Sequence, residues 1–369
     1  MTLYVGYRAA DIRPWMLGEC SVFHTLDVYH RHAIEKVHHA KAICLPHLPE
    51  GPWDRVVFRT GPKLMSGELE LDLLQEAVKL RIGEAESLPL QNRDVKISLF
   101  SGGRDSSAPV RPGLYLDYVG RERDRNDLID RIKDRIDRVF KAEWPASVPG
   151  GNRLMFTSYP GCFCHRRLDE GGLALAEVVS KELKSRVEVE DRDDQLKSRV
   201  EVEDRDDQLK SRVEVEDRTI RLLDMGCGCG LVGFLVADCM NKNFSTALQL
   251  HTSTCPLSLV LVDSHSRAVE AAEENAEKFG IPAEVILSDN GTPARMDGTF
   301  DVFVGNPPYY SDYRIAEVFL ETAKRALKPG GVCYTVCKNA AGLEPVQKNF
   351  FPAVEIVKRR GYAVLKSIK

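Results

Sequence analysis

Three glycines at alternate positions, closing the run Leu222, Leu223, Asp224, Met225, Gly226, Cys227, Gly228, Cys229 and Gly230, constrain this chain more than any other feature. An apolar strand must end there and a helix begin, because glycine alone lets the backbone turn without a Cβ clash and approach a ligand closely. The pattern then repeats. Strands are predicted at Ile220–Asp224, Leu257–Asp263, Ala283–Leu287, Phe300–Val304 and Gly331–Cys337, with helices at Ser266–Phe279 and Tyr313–Leu327 between them. Apolar strands alternating with helices predict an α/β fold, a doubly wound and mostly parallel sheet of Rossmann-like type.

A glycine-rich turn alone is weak evidence, since dinucleotide-binding proteins use similar ones. Here the spacing is G-x-G-x-G, and Asp224 precedes Gly226 by two residues. That acid would repel a pyrophosphate and suits a ligand bearing an ammonium. Asp263 closes the second strand, where a carboxylate can accept both hydroxyls of a ribose, although it also reads as a helix N-cap. Asp289, after the third strand, is a polar acceptor where an adenine amino group could sit. Ammonium, ribose and adenine sites in that order describe S-adenosylmethionine.

The most specific signal follows the fourth strand: Asn306, Pro307, Pro308 and Tyr309. Consecutive prolines deny helix and fix an extended turn. The Asn306 side-chain oxygen and the Pro307 carbonyl can then accept both hydrogens of a planar NH2 group, while Tyr309 offers an aromatic face for stacking. Gripping a flat amine this way prepares its nitrogen to attack a sulfonium methyl by positioning and electrostatics, without a metal. A guanine or adenine exocyclic amine fits, and so does a glutamine amide. A non-catalytic fold retained for RNA binding is a further alternative. Cys162, Cys164 and His165 lack the usual zinc-ligand spacing, and the six irregularly spaced histidines from His24 to His47 read as surface or structural.

These residues together resemble a class I S-adenosylmethionine-dependent methyltransferase. The segment from Tyr159 to Gly171, with Pro160, Gly161, Phe163, Leu168 and Asp169, narrows the likeness to the methyltransferase small family, the ribosomal RNA guanine-N2 methyltransferases. In that family the segment closes over the cofactor, so the resemblance implies cofactor-pocket roles for Phe163, Asp169 and Gly171. Asp224, Gly226, Gly228, Gly230, Asp263, Asp289 and the turn from Asn306 to Tyr309 match the family in order, and Ile356–Lys369 resembles its closing strand. The resemblance implies RNA, ribosomal RNA above all, as partner and substrate. It also implies an N-terminal α/β domain that is a degenerate copy of the same fold and helps hold RNA. Cys164 departs from the family's usual Ser, and Asn241–Pro256 lengthens one connection.

The expected organisation is an N-terminal domain over 1–150, a Pro/Gly-rich boundary at Trp144–Asn152, and the cofactor domain over 155–369. In the first half, a strand near 54–60, a helix at Gly67–Leu80 and a strand at Asp94–Phe100 sketch a β-α-β unit, and Arg125–Lys141 is predicted as an amphipathic helix. Inside the cofactor domain lies an insert, 183–218, in which the 13 residues from Leu183 to Gln195 recur from Leu196 to Gln208 and partly again from Leu209 to Arg218. The insert holds nine basic and thirteen acidic residues, so the whole net charge of −4 resides in it and the remainder is balanced. Each copy sets a leucine and two valines against eight charges, too little to bury a core, which predicts a solvent-exposed helix or hairpin without chemistry. No apolar run approaches the ~18–20 residues of a membrane span, and no leader is evident at the N-terminus. The ten scattered cysteines then read as reduced thiols of a cytoplasmic protein.

Overall fold

The computed structural model describes residues 1–51, 53–60, 67–79, 98–100, 113–118, 140–203, 219–247, 257–308 and 313–369. These fold into two compact units, the first comprising Met1–Ala142, Ser158–His165 and Ser264–Ala271, the second Glu143–Thr157, Arg166–Asp263 and Ala272–Lys369.

The second unit is built on β9 (Ile220–Met225), β10 (Leu257–Asp263), β11 (Ala283–Leu287), β12 (Phe300–Gly305), β13 (Leu327–Cys337), β14 (Glu355–Arg359) and β15 (Tyr362–Ile368), in the order β11-β10-β9-β12-β13-β15-β14. The first five are mutually parallel, and β15 alone runs antiparallel, between β13 and β14, which is the doubly wound, mostly parallel sheet the sequence predicts. Its central strands are near-continuous apolar runs because both faces are covered. On one face packs α6 (Arg314–Ala326), whose Ala316, Phe319, Leu320 and Ala323 recur at helical spacing and are all buried.

The first unit carries β1 (Thr2–Val5), β2 (Ser21–Thr25), β3 (Ala42–Cys44), β4 (Arg55–Thr60), β5 (Ser98–Phe100) and β6 (Gly113–Tyr118) in the order β3-β2-β1-β4-β6-β5, all parallel. Helices α1 (Val28–His38) and α2 (Gly67–Lys79) follow β2 and β4. Its first four strands thus repeat the order of β11-β10-β9-β12. The helix predicted at Arg125–Lys141 lies outside the described residues except at its last two positions, and of the strand predicted at Asp94–Phe100 only 98–100 are described.

The division between units does not fall in the Trp144–Asn152 run. Ala142–Ala146 is a strand, β7, with Ala142, Trp144 and Ala146 buried and Pro145 on the outer face. It pairs with β8 (Leu154–Ser158). Trp144 stacks on Phe156 at 5.2 Å, and Phe156 meets Phe279 edge-on at 5.0 Å, so aromatic packing makes this stretch part of the second unit. The first copy of the repeat and most of the second extend a helix, α3 (Glu170–Glu203), whose first half buries Leu173, Leu175, Val179 and Leu183.

Candidate active site

Strand order and register assemble the site. Met225 pairs with Val262 on one side and with Gly305 on the other, while Asp263 pairs with Leu287. Gly226, Asp263 and Asn306 therefore leave the sheet at one carboxyl edge, on strands spaced ~4.8 Å apart. The chain order reverses between β9 and β12, and such a switch point opens the crevice where α/β sheets bind ligands.

The glycine turn is wired into this edge. Gly226 and Cys227 donate to the Val262 carbonyl at 2.8 and 3.1 Å, Gly228 N–H donates to Asp263 Oδ2 at 2.9 Å, and Gly230 N–H to the Cys227 carbonyl at 2.8 Å. α4 (Leu231–Ala247) starts immediately after. A Cβ on Gly226 would come within 2.7 Å of Phe319, and one on Gly305 within 2.9 Å, so that ring packs beneath both strand tips and holds them in register. A Cβ on Gly228, whose φ is +56°, would meet nothing within 4 Å. Open space lies over the central glycine, with a carboxylate bonded to its N–H.

Asp224 is 2% exposed, and its Oδ2 accepts the Gly233 N–H at 2.9 Å. Burial pushes its carboxyl up to about 7, opposed by the Gly233 hydrogen bond and aided by the charge of Asp263. Asp289 is half-buried beyond β11, where Ser288 Oγ donates to Asn290 Oδ1 at 2.9 Å.

Past β12, Asn306 is half-buried and Pro307 buried. Asn306 Nδ2 donates to Asp169 Oδ2 at 2.8 Å. Asp169 precedes α3 and also accepts the N–H groups of Gly171 and Gly172, each at 3.0 Å, capping that helix. Desolvation raises its carboxyl above the ordinary range, against those three hydrogen bonds. The structure thus joins Asp169 and Asn306, 137 residues apart. Gly171 packs against Tyr362: a Cβ there would lie 3.1 Å from its ring. Phe163 belongs to the first unit and is 67% exposed. Tyr309 lies outside the described residues.

Two further contributors escape the sequence reading. Phe319 is one. The other is Asn275 on α5 (Ser266–Phe279), wholly buried, which donates to the carbonyls of Cys229 and Thr157 at 3.0 Å each and accepts the Thr157 N–H at 2.8 Å. Its signal was present: it falls seven residues after Ala268 and three after Ala272, on the buried stripe of the helix, where a polar residue needs a partner. Among the described residues, no group of three or more His, Cys, Asp or Glu is placed to hold a metal, and no helix is long and apolar enough to cross a membrane.

Residues 207–366 match the family model for the methyltransferase small domain. A ribosomal RNA small subunit methyltransferase C of Hahella chejuensis is 33% identical over 115 residues, covering 30% of this chain and 29% of that protein. The protein of the same description from Pseudoalteromonas translucida is 30% identical over 151 residues, 40% of each chain. The matched stretch therefore spans less than half the length of these relatives. An uncharacterized Bacillus subtilis protein, YbxB, is 26% identical over 153 residues, 40% of this chain and 69% of its own. Among solved structures, the T. thermophilus 16S rRNA N2 methyltransferase (RsmC) in complex with AdoMet and guanosine superposes with a TM-score of 0.64 at 16% identity, covering 100% of this chain and 88% of that one. At that identity the likeness is one of fold.

Proposed function

We propose that this chain, whose residues 207–366 match the family model for the methyltransferase small domain, is an S-adenosylmethionine-dependent N-methyltransferase acting on the exocyclic amine of guanine in RNA, with ribosomal RNA the substrate. One observation carries the reading: Asn306 leaves the sheet beside the Gly226 turn, on the strand neighbouring β9, with its amide nitrogen turned to Asp169. The ribosomal RNA methyltransferases among the relatives support the substrate class.

The residues present fit the cofactor. Space over Gly228, the Asp263 carboxylate beside it and the buried acid Asp224 form a cradle that a side chain at Gly228 would fill. When bound, S-adenosylmethionine supplies an electrophilic methyl on a sulfonium. Asp263 would hold the ribose hydroxyls, Asp224 would face the ammonium and Asp289 the adenine. On the other side of the crevice, Asn306 Oδ1 and the Pro307 carbonyl would accept the two N–H groups of the incoming amine. That grip would hold the nitrogen lone pair toward the crevice, so that the methyl–sulfur bond could break to a neutral thioether as the nitrogen–methyl bond forms, the displaced N–H proton passing to solvent. A paired guanine hides its amine, so the target base must be unpaired or flipped out.

Incubating the protein with total RNA and methyl-labelled cofactor, then analysing nucleosides by mass spectrometry, should yield N2-methylguanosine. Label recovered as N6-methyladenosine, or as methylglutamine in protein, overturns the guanine assignment. Asn306→Ala should keep cofactor affinity by calorimetry and lower kcat by roughly 100- to 1000-fold, the usual cost of losing one preorganised polar group.

A further inference from the structure

We propose that Asp169 is a positioning residue for the transfer step: it fixes the orientation of the Asn306 amide, so that the oxygen and not the NH2 faces the substrate amine. The inference rests on the reading of Asn306 given above, and it differs from the cofactor-pocket role that resemblance implies for Asp169.

An asparagine amide has two edges of nearly equal shape, one an acceptor and one a double donor. A substrate NH2 is a donor, so a flipped Asn306 would set donor against donor and repel it. Nothing within the Asn306 residue selects the correct orientation; a neighbour must. Asp169 is placed to do so, because both of its oxygens are already committed as acceptors. Oδ1 takes the Gly171 N–H at 3.0 Å, and Oδ2 takes the Gly172 N–H at 3.0 Å. A carboxylate held this way by a helix N-terminus presents only acceptor character at Oδ2, and the group that approaches it at 2.8 Å is Asn306 Nδ2. Turning the amide over would bring Asn306 Oδ1 against Asp169 Oδ2, exchanging a charge-assisted hydrogen bond for repulsion between two oxygens. The helix supplies the rigidity: the first half of α3 is anchored by Leu173, Ala174 and Leu175, each 3% exposed or less, so the carboxylate cannot follow a flipped amide. The same arrangement would orient Asn306 for a guanine amine or a glutamine amide alike.

The test is Asp169→Ser. Serine remains a good N-cap for the Gly171 and Gly172 N–H groups but is too short to reach Asn306. The expected result is a kcat lower by roughly 10- to 100-fold, the scale of one hydrogen bond to a charged group, with cofactor affinity by calorimetry within about twofold of wild type. Unchanged kcat overturns the proposal. So does a fall in cofactor affinity that accounts for the whole loss, since that outcome assigns Asp169 to the cofactor. A second measurement needs no turnover. With 15N-asparagine labelling, the Asn306 side-chain NH2 pair is identified by its disappearance in Asn306→Ser. In the wild type, one proton of that pair should be shifted downfield and protected from exchange, and in Asp169→Ser both should collapse to ordinary values. If Asp169→Ser leaves the pair unmoved, the proposal fails, whatever the substrate. If the pair moves while RNA takes no methyl, the substrate reading fails and this one stands.

Discussion

Asp224 shows how a residue's place in a motif is legible in sequence while its environment stays hidden. Its position two residues before Gly226 marks it as an acid near a ligand ammonium, but burial is a tertiary property. The structure gives a carboxyl that is 2% exposed and pushed up to about 7. Unfolded, the same group titrates near 4. Between those values the folded protein holds a proton that the unfolded chain has lost, so this residue's contribution to stability declines as pH rises from about 4 through 7. An ammonium held beside it, as the proposed function requires, would reverse the preference, because it favours the ionised acid. Cofactor affinity should therefore climb from pH 5.5 toward 7 by up to ~10-fold per unit and flatten above. Calorimetry in buffers of different ionisation enthalpy should show close to one proton released near pH 6. Asp224→Asn should bind more weakly and lose the slope. A slope that survives in Asp224→Asn would assign the titration to another group.

At the scale of elements, legibility follows the physics that forms each one. Leu257–Asp263, Ala283–Leu287 and Ser266–Phe279 have the bounds predicted, because an apolar run or an amphipathic stripe depends on nothing beyond itself. β13 begins at Leu327, four residues before the predicted start, since Pro329 and Gly330 read as a turn locally while pairing with β12 and β15 continues the strand around them. Trp144–Asn152 reads as a boundary for the same reason: Pro145 hides an alternation in β7 that only the packing of Trp144 on Phe156 reveals. The Asn306–Asp169 contact bridges 137 residues, and no local pattern encodes it. The repeat lies between these cases. Its charges deny it a core, yet the first copy and most of the second continue the helix that buries Leu173, Leu175, Val179 and Leu183. Thirteen residues advance a helix by about 220° beyond whole turns, so the period of the repeat is out of phase with the apolar stripe that includes Leu183. Excising residues 183–208 removes two exact copies and puts Leu209 where Leu183 stood, the ten residues Leu209–Arg218 repeating Leu183–Arg192. The expected outcome is a thermal midpoint within about 2 °C of wild type, as for changes outside the core, and cofactor affinity within about twofold. A large loss of either would show that the insert is part of the domain it interrupts.

The two sheets share the order of their first four strands, and registering them supports one cofactor site rather than two. Val5 pairs with Phe58 in the first unit as Met225 pairs with Gly305 in the second. Counting outward from those pairs, Gly6 stands where Gly226 stands, Arg8 where Gly228 leaves open space, and Arg59 where Asn306 offers its amide. His24, opposite Val5, places Thr25 at the position of Asp263. The first unit's own side chains close that edge: Arg59 pairs with Asp11 at 2.9 Å and lies over the Tyr7 ring at 5.4 Å, and Tyr7 is 3% exposed. Where the second unit has a carboxylate, a bare glycine and a planar amide, the first has a hydroxyl and two arginines, and so lacks the charges of the proposed site. Titrating the chain with S-adenosylmethionine should accordingly give one site per molecule. Gly228→Ala, which puts a methyl into the open space without touching any protein atom within 4 Å, should abolish that site while the fold persists. Arg8→Gly, which empties the corresponding place in the first unit, should leave both stoichiometry and affinity unchanged, because the acid and the amide would still be missing there. Two sites in the wild-type chain, or a Gly228→Ala variant that binds normally, would show that register alone does not decide where the ligand goes.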